Sequence, residues 1–348
     1  MSHLAILTVR NEGAFLLEWI AHHRAIGFDD FLVFSNDCDD GTDTILDRLA
    51  ELGGLTHIRN EGPYDKGGIQ FTALKAAARM DQVRNADWIL PLDIDEFVNI
   101  HTGDGTLRAL HDALPDATAI TLTWRLFGNN EQVRFEDVPV TQSFTRAAPE
   151  ILYWPWRASM FKTLYANDGS YDKPGVHRPR SPNHNRLEKA VWYDSHGRVL
   201  DDQFKTRRIF SNYGRPNFGL AQLNHYPLGS MESFVLKADR GRAVHSDDML
   251  GLDYWVERNF CTTQDDTIRR YDAARDAHLD ALRSDAALAK LHDAAVGWRK
   301  SRFDALMQQE PFRGLFGRLL MSQPTHPVSK SAARFLVRYA NLARKSAH

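Results

Sequence analysis

Cysteine is nearly absent. The 348 residues hold only Cys38 and Cys261, too few for a disulfide framework or a cysteine-built zinc cluster, and a reducing cytosol fits that usage. No run of about 18 apolar residues is present to span a bilayer. Neither charge dominates: 43 Lys plus Arg face 45 Asp plus Glu, a formal net charge of −2, so no global field points to nucleic acid. Internal repeats and low-complexity tracts are also missing. At the N-terminus there is neither a basic segment nor a cleavage site, and the chain goes directly into strand-like Leu4-Ala5-Ile6-Leu7-Thr8-Val9. A cytosolic protein without a signal peptide is expected.

What is present is ordinary for a globular protein, with 43% hydrophobic and 25% charged residues. The length predicts one large or two modest domains. One local asymmetry stands out. From Pro311 to His348 there is no Asp or Glu, but there are Arg313, Arg318, Lys330, Arg334, Arg338, Arg344 and Lys345.

The first half alternates. Strands are predicted at 4–9, 31–35, 55–59, 88–92 and 117–124, and helices at 13–26, from Thr42 to Gly53-Gly54, at 68–84 and at 106–113. That order argues for a mostly parallel sheet with right-handed crossovers. Residues 125–230 are rich in aromatics, Pro, His and Arg and read as short strands and long loops; beyond 230 the chain reads as helical. The expected organisation is an α/β half at 1–125, a site-building half at 126–245, and a helical region at 246–348 ending in a basic amphipathic tail.

The run Trp88-Ile89-Leu90-Pro91-Leu92-Asp93-Ile94-Asp95-Glu96-Phe97 carries the most chemistry. Acids at the end of a core strand are costly unless something positive sits among them, and ligands of open α/β sheets bind at that end. Carboxylates suit Mg²⁺ or Mn²⁺ carrying a phosphate group; a solvated turn is the plainer alternative. Thr8-Val9-Arg10-Asn11-Glu12 leaves the first strand, where it could grip a base or phosphate or simply cap a helix. Ser35-Asn36-Asp37-Cys38-Asp39-Asp40-Gly41-Thr42 leaves the second, with Asp40 or Thr42 equally suited to an N-cap.

Taken together these motifs resemble the family 2 glycosyltransferases of the GT-A fold. The resemblance is to the branch with Asn11-Glu12…Glu18-Trp19-Ile20…His23 and Asp93-Ile94-Asp95-Glu96-Phe97, and it covers about residues 4–125. It implies an α/β, GT-A-type fold: a mostly parallel central sheet flanked by helices, an irregular acceptor side and a helical C-terminus. It also implies a metal-dependent transfer of a sugar from a nucleotide diphosphate sugar, a UDP-sugar favoured, to a glycan or lipid-linked hydroxyl, with inversion. On that basis Thr8, Arg10 and Glu12 would border the nucleotide, and Asp37 or Asp39 would meet the base or ribose. Asp93 would approach the ribose and a metal-bound water, and Asp95 would ligate Mn²⁺ or Mg²⁺. Cys38 stands where Ser is usual.

In Leu223-Asn224-His225-Tyr226-Pro227, His225 is the candidate further metal ligand, or else a His packed at a strand end. Lys237, Arg240 and Arg242 could face the leaving diphosphate or lie on a solvated helix face. Trp124 could stack on a sugar or pack in the core. Glu131 and Asp172 are candidate general bases. His177, His184 and His196 fit no zinc spacing. Phe335, Leu336, Tyr339, Leu342 and Ala343 recur at helical spacing among basic residues, which suits either an anionic membrane surface, through 311–348, or docking on protein. Two other classes of function are carried forward. One is a haloacid-dehalogenase-like phosphatase built on Asp37–Thr42, and the other is a nucleotide-sugar-binding module without turnover.

Overall fold

The computed structural model describes residues 1–348 except 65–66, 241–249 and 347–348, and within the last helix no side chains at 340, 341 and 343–346. Four strands, β1 (His3–Val9), β2 (Asp30–Ser35), β3 (Thr56–Arg59) and β4 (Trp88–Leu92), alternate with α1 (Gly13–Ala25), α2 (Thr42–Glu51), α3 (Ile69–Ala77) and α4 (Asp81–Asn85). Then come β5 (Glu96–Ile100), α5 (Leu107–Ala113) and β6 (Ala119–Leu126). The irregular middle holds α6 (Val140–Ser143), β7 (Arg146–Ala147), β8 (Phe161–Ala166), β9 (Tyr171–Lys173) and β10 (Arg180–Pro182). It continues through α7 (His184–Leu187), β11 (Trp192–Asp194), α8 (Asp202–Thr206) and β12 (Ala221–His225). The last part comprises α9 (Met231–Arg240), α10 (Leu252–Val256), β13 (Thr263–Gln264), α11 (Asp272–Arg283), α12 (Ala286–Leu306), α13 (Glu310–Met321) and α14 (Lys330–Ser346).

The central sheet runs β3-β2-β1-β4-β8-β6-β12-β5, with β11 also on β6. Its first four strands are parallel. Beyond them β8 is antiparallel to both β4 and β6, and β5 is antiparallel to β12. The expected α/β class and helical C-terminus are thus what the structure shows. β1 explains the near-continuous apolar strands: Ala5, Leu7 and Val9 enter one core and Leu4 and Ile6 the other, because a sheet covered on both faces needs apolar residues at every position.

Two expectations at the level of elements change. The single helix at 68–84 is two helices, because Met80 is extended (φ −83°, ψ 142°) and the chain restarts at Asp81. The acid run follows the end of β4, as expected, but as a tight turn into a further buried strand, β5, that was not expected.

The C-terminal helices cover the α/β half. α11 and α12 lie on α1, and α12 also lies on α2, where Arg48 and Asp285 pair at 2.7 Å. α9, α10, α12 and α13 share a core through Phe234, Trp255, Leu306, Leu315 and Leu319. Gly13, the first residue of α1, is where the crossing is closest: a Cβ there would lie 2.9 Å from Ala295 Cβ on α12.

Candidate active site

Backbone pairing builds the site. β12 runs antiparallel to β5 with His225 opposite Glu96, and the next residue, Tyr226, donates its N–H to Asp95 O at 2.8 Å. This zips the end of β12 to the acid turn and sets the His225 ring beside Asp95, with Nε2 3.6 Å from Oδ1. Glu96 closes the turn by accepting the Asp93 N–H at 2.9 Å.

Each acid then meets a cation. Asp93 accepts from Gln70 Nε2 at 2.8 Å and from Lys162 Nζ at 2.9 Å. Asp95 Oδ2 accepts from Lys237 Nζ at 2.7 Å, and that ammonium also donates to Pro227 O at 2.8 Å. Lys237 and His225 hold Asp95 well below the usual carboxylate range, against its burial. Glu96 is wholly buried, accepting from Trp124 Nε1 at 2.6 Å with Lys162 3.5 Å away. Burial raises its carboxyl to about 8, and Lys162 opposes that rise. Trp124 lies against His225, ring centroids 4.3 Å apart, and has spent its N–H on Glu96.

The nucleotide-side candidates fall into two groups. Arg10 Nε donates to Asp37 O at 3.2 Å and Tyr64 Oη to Asp37 Oδ2 at 2.8 Å, a polar rim beyond the ends of β1 and β2, with half-buried Thr8 near the end of β1. Asn11 and Asp37, at φ +53° and +48°, adopt the left-handed backbone that Asn and Asp tolerate best. Asp39 is tied to Asn11, whose Oδ1 accepts the Asp39 N–H at 2.8 Å. Glu12 instead turns toward α9 and pairs with Arg240, which also donates to Arg10 O at 2.8 Å. Arg242 lies outside the described residues.

Several motif residues prove architectural. Asp40 accepts from Gly13 N and Thr42 N, both at 2.9 Å, and Thr42 Oγ1 accepts from Glu12 N at 2.9 Å. One loop therefore caps two helices, and Asp40 and Thr42, the second half of the run on which the phosphatase reading is built, are used for that capping. Glu18 accepts from the backbone of Val140 and Thr141 at 2.7 and 3.1 Å. Trp19 donates to Glu96 O at 3.0 Å, and His22 Nε2 bonds Val98 O at 2.8 Å. These bonds moor α1 to the strand that carries the site.

The candidate bases are not brought to it. Glu131 is exposed in the turn after β6 (φ +59°), and Asp172 is exposed on β9; neither hydrogen-bonds or pairs with Asp93, Asp95 or His225. Beside Asp95 a cleft of about 910 Å³ opens between α1, α9, α12 and the segment before α6. Of the carboxylates lining it, Glu12 is paired with Arg240 and Asp239 with Arg302, while Glu136 is exposed and has no ion pair among the described residues.

Sequence reasoning missed Lys162 and Tyr64, and weighed His177 only as a zinc ligand. Lys162 carried a signal, a lone cation inside the apolar strand Phe161-Lys162-Thr163-Leu164-Tyr165. His177 reaches the site through its ring, 5.8 Å from Trp124, with Nδ1 on Phe161 O at 3.0 Å.

The chain belongs to glycosyltransferase family 92, whose model matches residues 7–194. The motif resemblance to family 2 therefore gives way at the level of family and stands at the level of class. A family 92 protein of Ricinus communis is 28% identical over 97 residues, 27% of this chain and 16% of the relative. Another, of Oryza sativa subsp. japonica, is 27% identical over 150 residues, 41% and 24%. The matched stretches thus span a quarter or less of these curated relatives. Among solved structures, S. aureus TarS 1–349 in complex with UDP covers 89% of this chain and 92% of its own at 13% identity and a TM-score of 0.34. The same protein with UDP-GlcNAc gives 92%, 89%, 13% and 0.32. At these scores no residue correspondence is carried over.

Proposed function

We propose that the protein is a GT-A-type glycosyltransferase that moves a sugar from a nucleoside diphosphate sugar, a UDP-sugar favoured, to a hydroxyl of a glycan or lipid-linked acceptor. The observation that supports this best is the pairing of Asp95 with His225 at the sheet's ligand end, in a chain of family 92. The two ligand atoms are 3.6 Å apart, within the roughly 4 Å that two ligands of an Mg²⁺-sized ion can span. The donor set therefore fits Mn²⁺ or Mg²⁺. Among the described residues no three His, Cys, Asp or Glu form a complete cage, so the donor's diphosphate and water would supply the remaining ligands. When bound, the ion supplies positive charge to the leaving diphosphate.

The chain's own residues do the rest. Arg10, Asp37 and Tyr64 receive the nucleoside, and Asp93, oriented by Gln70 and Lys162, meets the ribose. Lys237 and Arg240 face the diphosphate. Glu136 at the cleft mouth takes the proton from the acceptor hydroxyl. As that oxygen bonds to the anomeric carbon, the carbon–oxygen bond to phosphate breaks and the nucleoside diphosphate departs, with inversion. α14 bears Arg334 and Arg338 beside exposed Phe335, Leu336 and Tyr339, a surface suited to anionic lipid. No helix among the described residues is long and apolar enough to cross a membrane.

The test is a panel of nucleotide sugars, with and without Mn²⁺, on the wild type and Asp95→Asn, alongside Mn²⁺ binding by electron paramagnetic resonance. Release of one nucleoside diphosphate, falling by about 10²-fold or more in Asp95→Asn with weakened Mn²⁺ binding, is expected. Metal-dependent donor binding without turnover would instead favour the non-catalytic module.

A further inference from the structure

The cleft beside Asp95 also has residues in its lining to which the transfer gives no role. Its walls are apolar, with Phe15, Phe135, Phe144, Leu228, Leu236 and Trp298. Within them lies Arg299 of α12, only 5% exposed, its guanidinium held between the rings of Phe15 and Phe135 at 4.5 and 4.8 Å from their centroids.

Arg299 differs from every other cation of the cleft wall that α9 and α12 present. Lys237 has Asp95, and Arg240 has Glu12; just beyond, Arg302 has Asp239. Arg299 has no ion pair or hydrogen bond among the described residues, and its Nε is buried without a partner. The two carboxylates whose charge reaches it, Glu12 and Asp40, are bonded to Arg240 and to the helix starts at Gly13 and Thr42. Burial lowers its pKa to about 10, so it stays charged at neutral pH. A buried charge without a bonded counter-ion is destabilising unless something compensates it, and two aromatic faces with two carboxylates beyond pairing distance supply only part of that. The missing partner is an anion, and the cleft is open to admit one.

We propose that this cleft binds an amphiphilic hydroxy acid: an anionic group on Arg299, an apolar body along the aromatic walls, and a hydroxyl end reaching Asp95. An aromatic lining with one placed charge is how sites select an apolar ligand and fix its orientation. The role of that ligand as sugar acceptor rests on the transferase reading; its binding does not.

The experiment titrates the full chain with ω-hydroxydecanoate, its methyl ester, and acetate, by calorimetry and by the fluorescence of Trp298, with and without saturating UDP and Mn²⁺. The acid is expected to bind saturably and roughly tenfold or more tighter than the ester, and acetate weakly. In Arg299→Leu the acid and ester should bind alike. Trp298→Phe should lose most of the fluorescence change while the calorimetric preference for the acid remains. Equal binding of acid and ester to the wild type overturns the proposal without recourse to any variant, as does the lack of saturation by either. Displacement of the acid by UDP assigns Arg299 to the donor and also overturns it. Acid binding that persists with UDP, in a protein that turns over no donor, keeps the site and rejects the transferase reading.

Discussion

Lys162 should be the most costly single cation to remove. It is fully buried on β8, 2.9 Å from Asp93 and 3.5 Å from Glu96. Lys162→Met keeps the stem's volume but leaves the Asp93 carboxylate and the buried Glu96 carboxyl without their shared cation. Breaking a buried pair in this way typically costs about 3–5 kcal/mol. The pH dependence identifies the source. Native Glu96 holds its proton up to about 8, whereas in the unfolded chain it ionises near the ordinary 4.5. Between those values the native state binds more protons, so this group's contribution to stability falls as pH rises, by at most about 1.4 kcal/mol per unit. Without Lys162 the native pKa of Glu96 rises further, and the decline continues past 8. The cost of Lys162→Met is therefore smallest near pH 5 and largest near pH 9, and adding Glu96→Gln should remove that growth. Urea denaturation of the wild type, both single variants and the double variant at about pH 5, 7 and 9 measures it. A cost below about 1 kcal/mol throughout, or a pH trend that survives Glu96→Gln, would refute the reasoning.

Three further outcomes are expected. Buried His22 titrates near 4 because burial disfavours its charged form; the unfolded chain takes up that proton from about 6.5 downward, so stability is lost as pH falls between those values. His22→Gln, which keeps a donor for Val98 O, should flatten the slope by about one proton in denaturation curves. Gly13→Ala should destabilise by about 1–3 kcal/mol in thermal melts, since its Cβ would press on Ala295 at 2.9 Å. Deleting 330–348 should abolish sedimentation with anionic liposomes and leave donor hydrolysis intact. A cut at Pro311 would not be a clean test, because α13 buries Leu315 and Leu319 in the core; failure of the intact chain to bind liposomes would end the membrane reading.

Much of the fold was legible because local pattern and tertiary role agree. Apolar runs such as Leu4–Val9 and Trp88–Leu92 could only be strands buried on both faces, and Asp93 and Asp95 had to leave the core at a strand end. Lys237 and His225 were singled out from local motifs, and the structure sets both on Asp95. Where one residue type serves two purposes, the pattern failed. Glu18 stood in the resemblance motif, yet it accepts from the backbone that opens α6, while Asp40 and Thr42 serve helix starts, the N-cap use that was one of two open readings for them. Glu131 and Asp172 were chosen as acids that follow the metal motif in sequence, and neither lines the cleft beside Asp95.

The sequence by itself determined the α/β class and the strand end at which the acids gather, because strand period and the cost of burying charge are local properties of the chain. Tertiary structure alone decided which cation meets which acid. Lys162 lies 69 residues from Asp93 and Lys237 lies 142 from Asp95. Arg299, whose guanidinium has no such partner, shows the same from the other side. Charge pairing acts over a few ångströms of space, and only the folded sheet and its helical cover bring such distant residues that close.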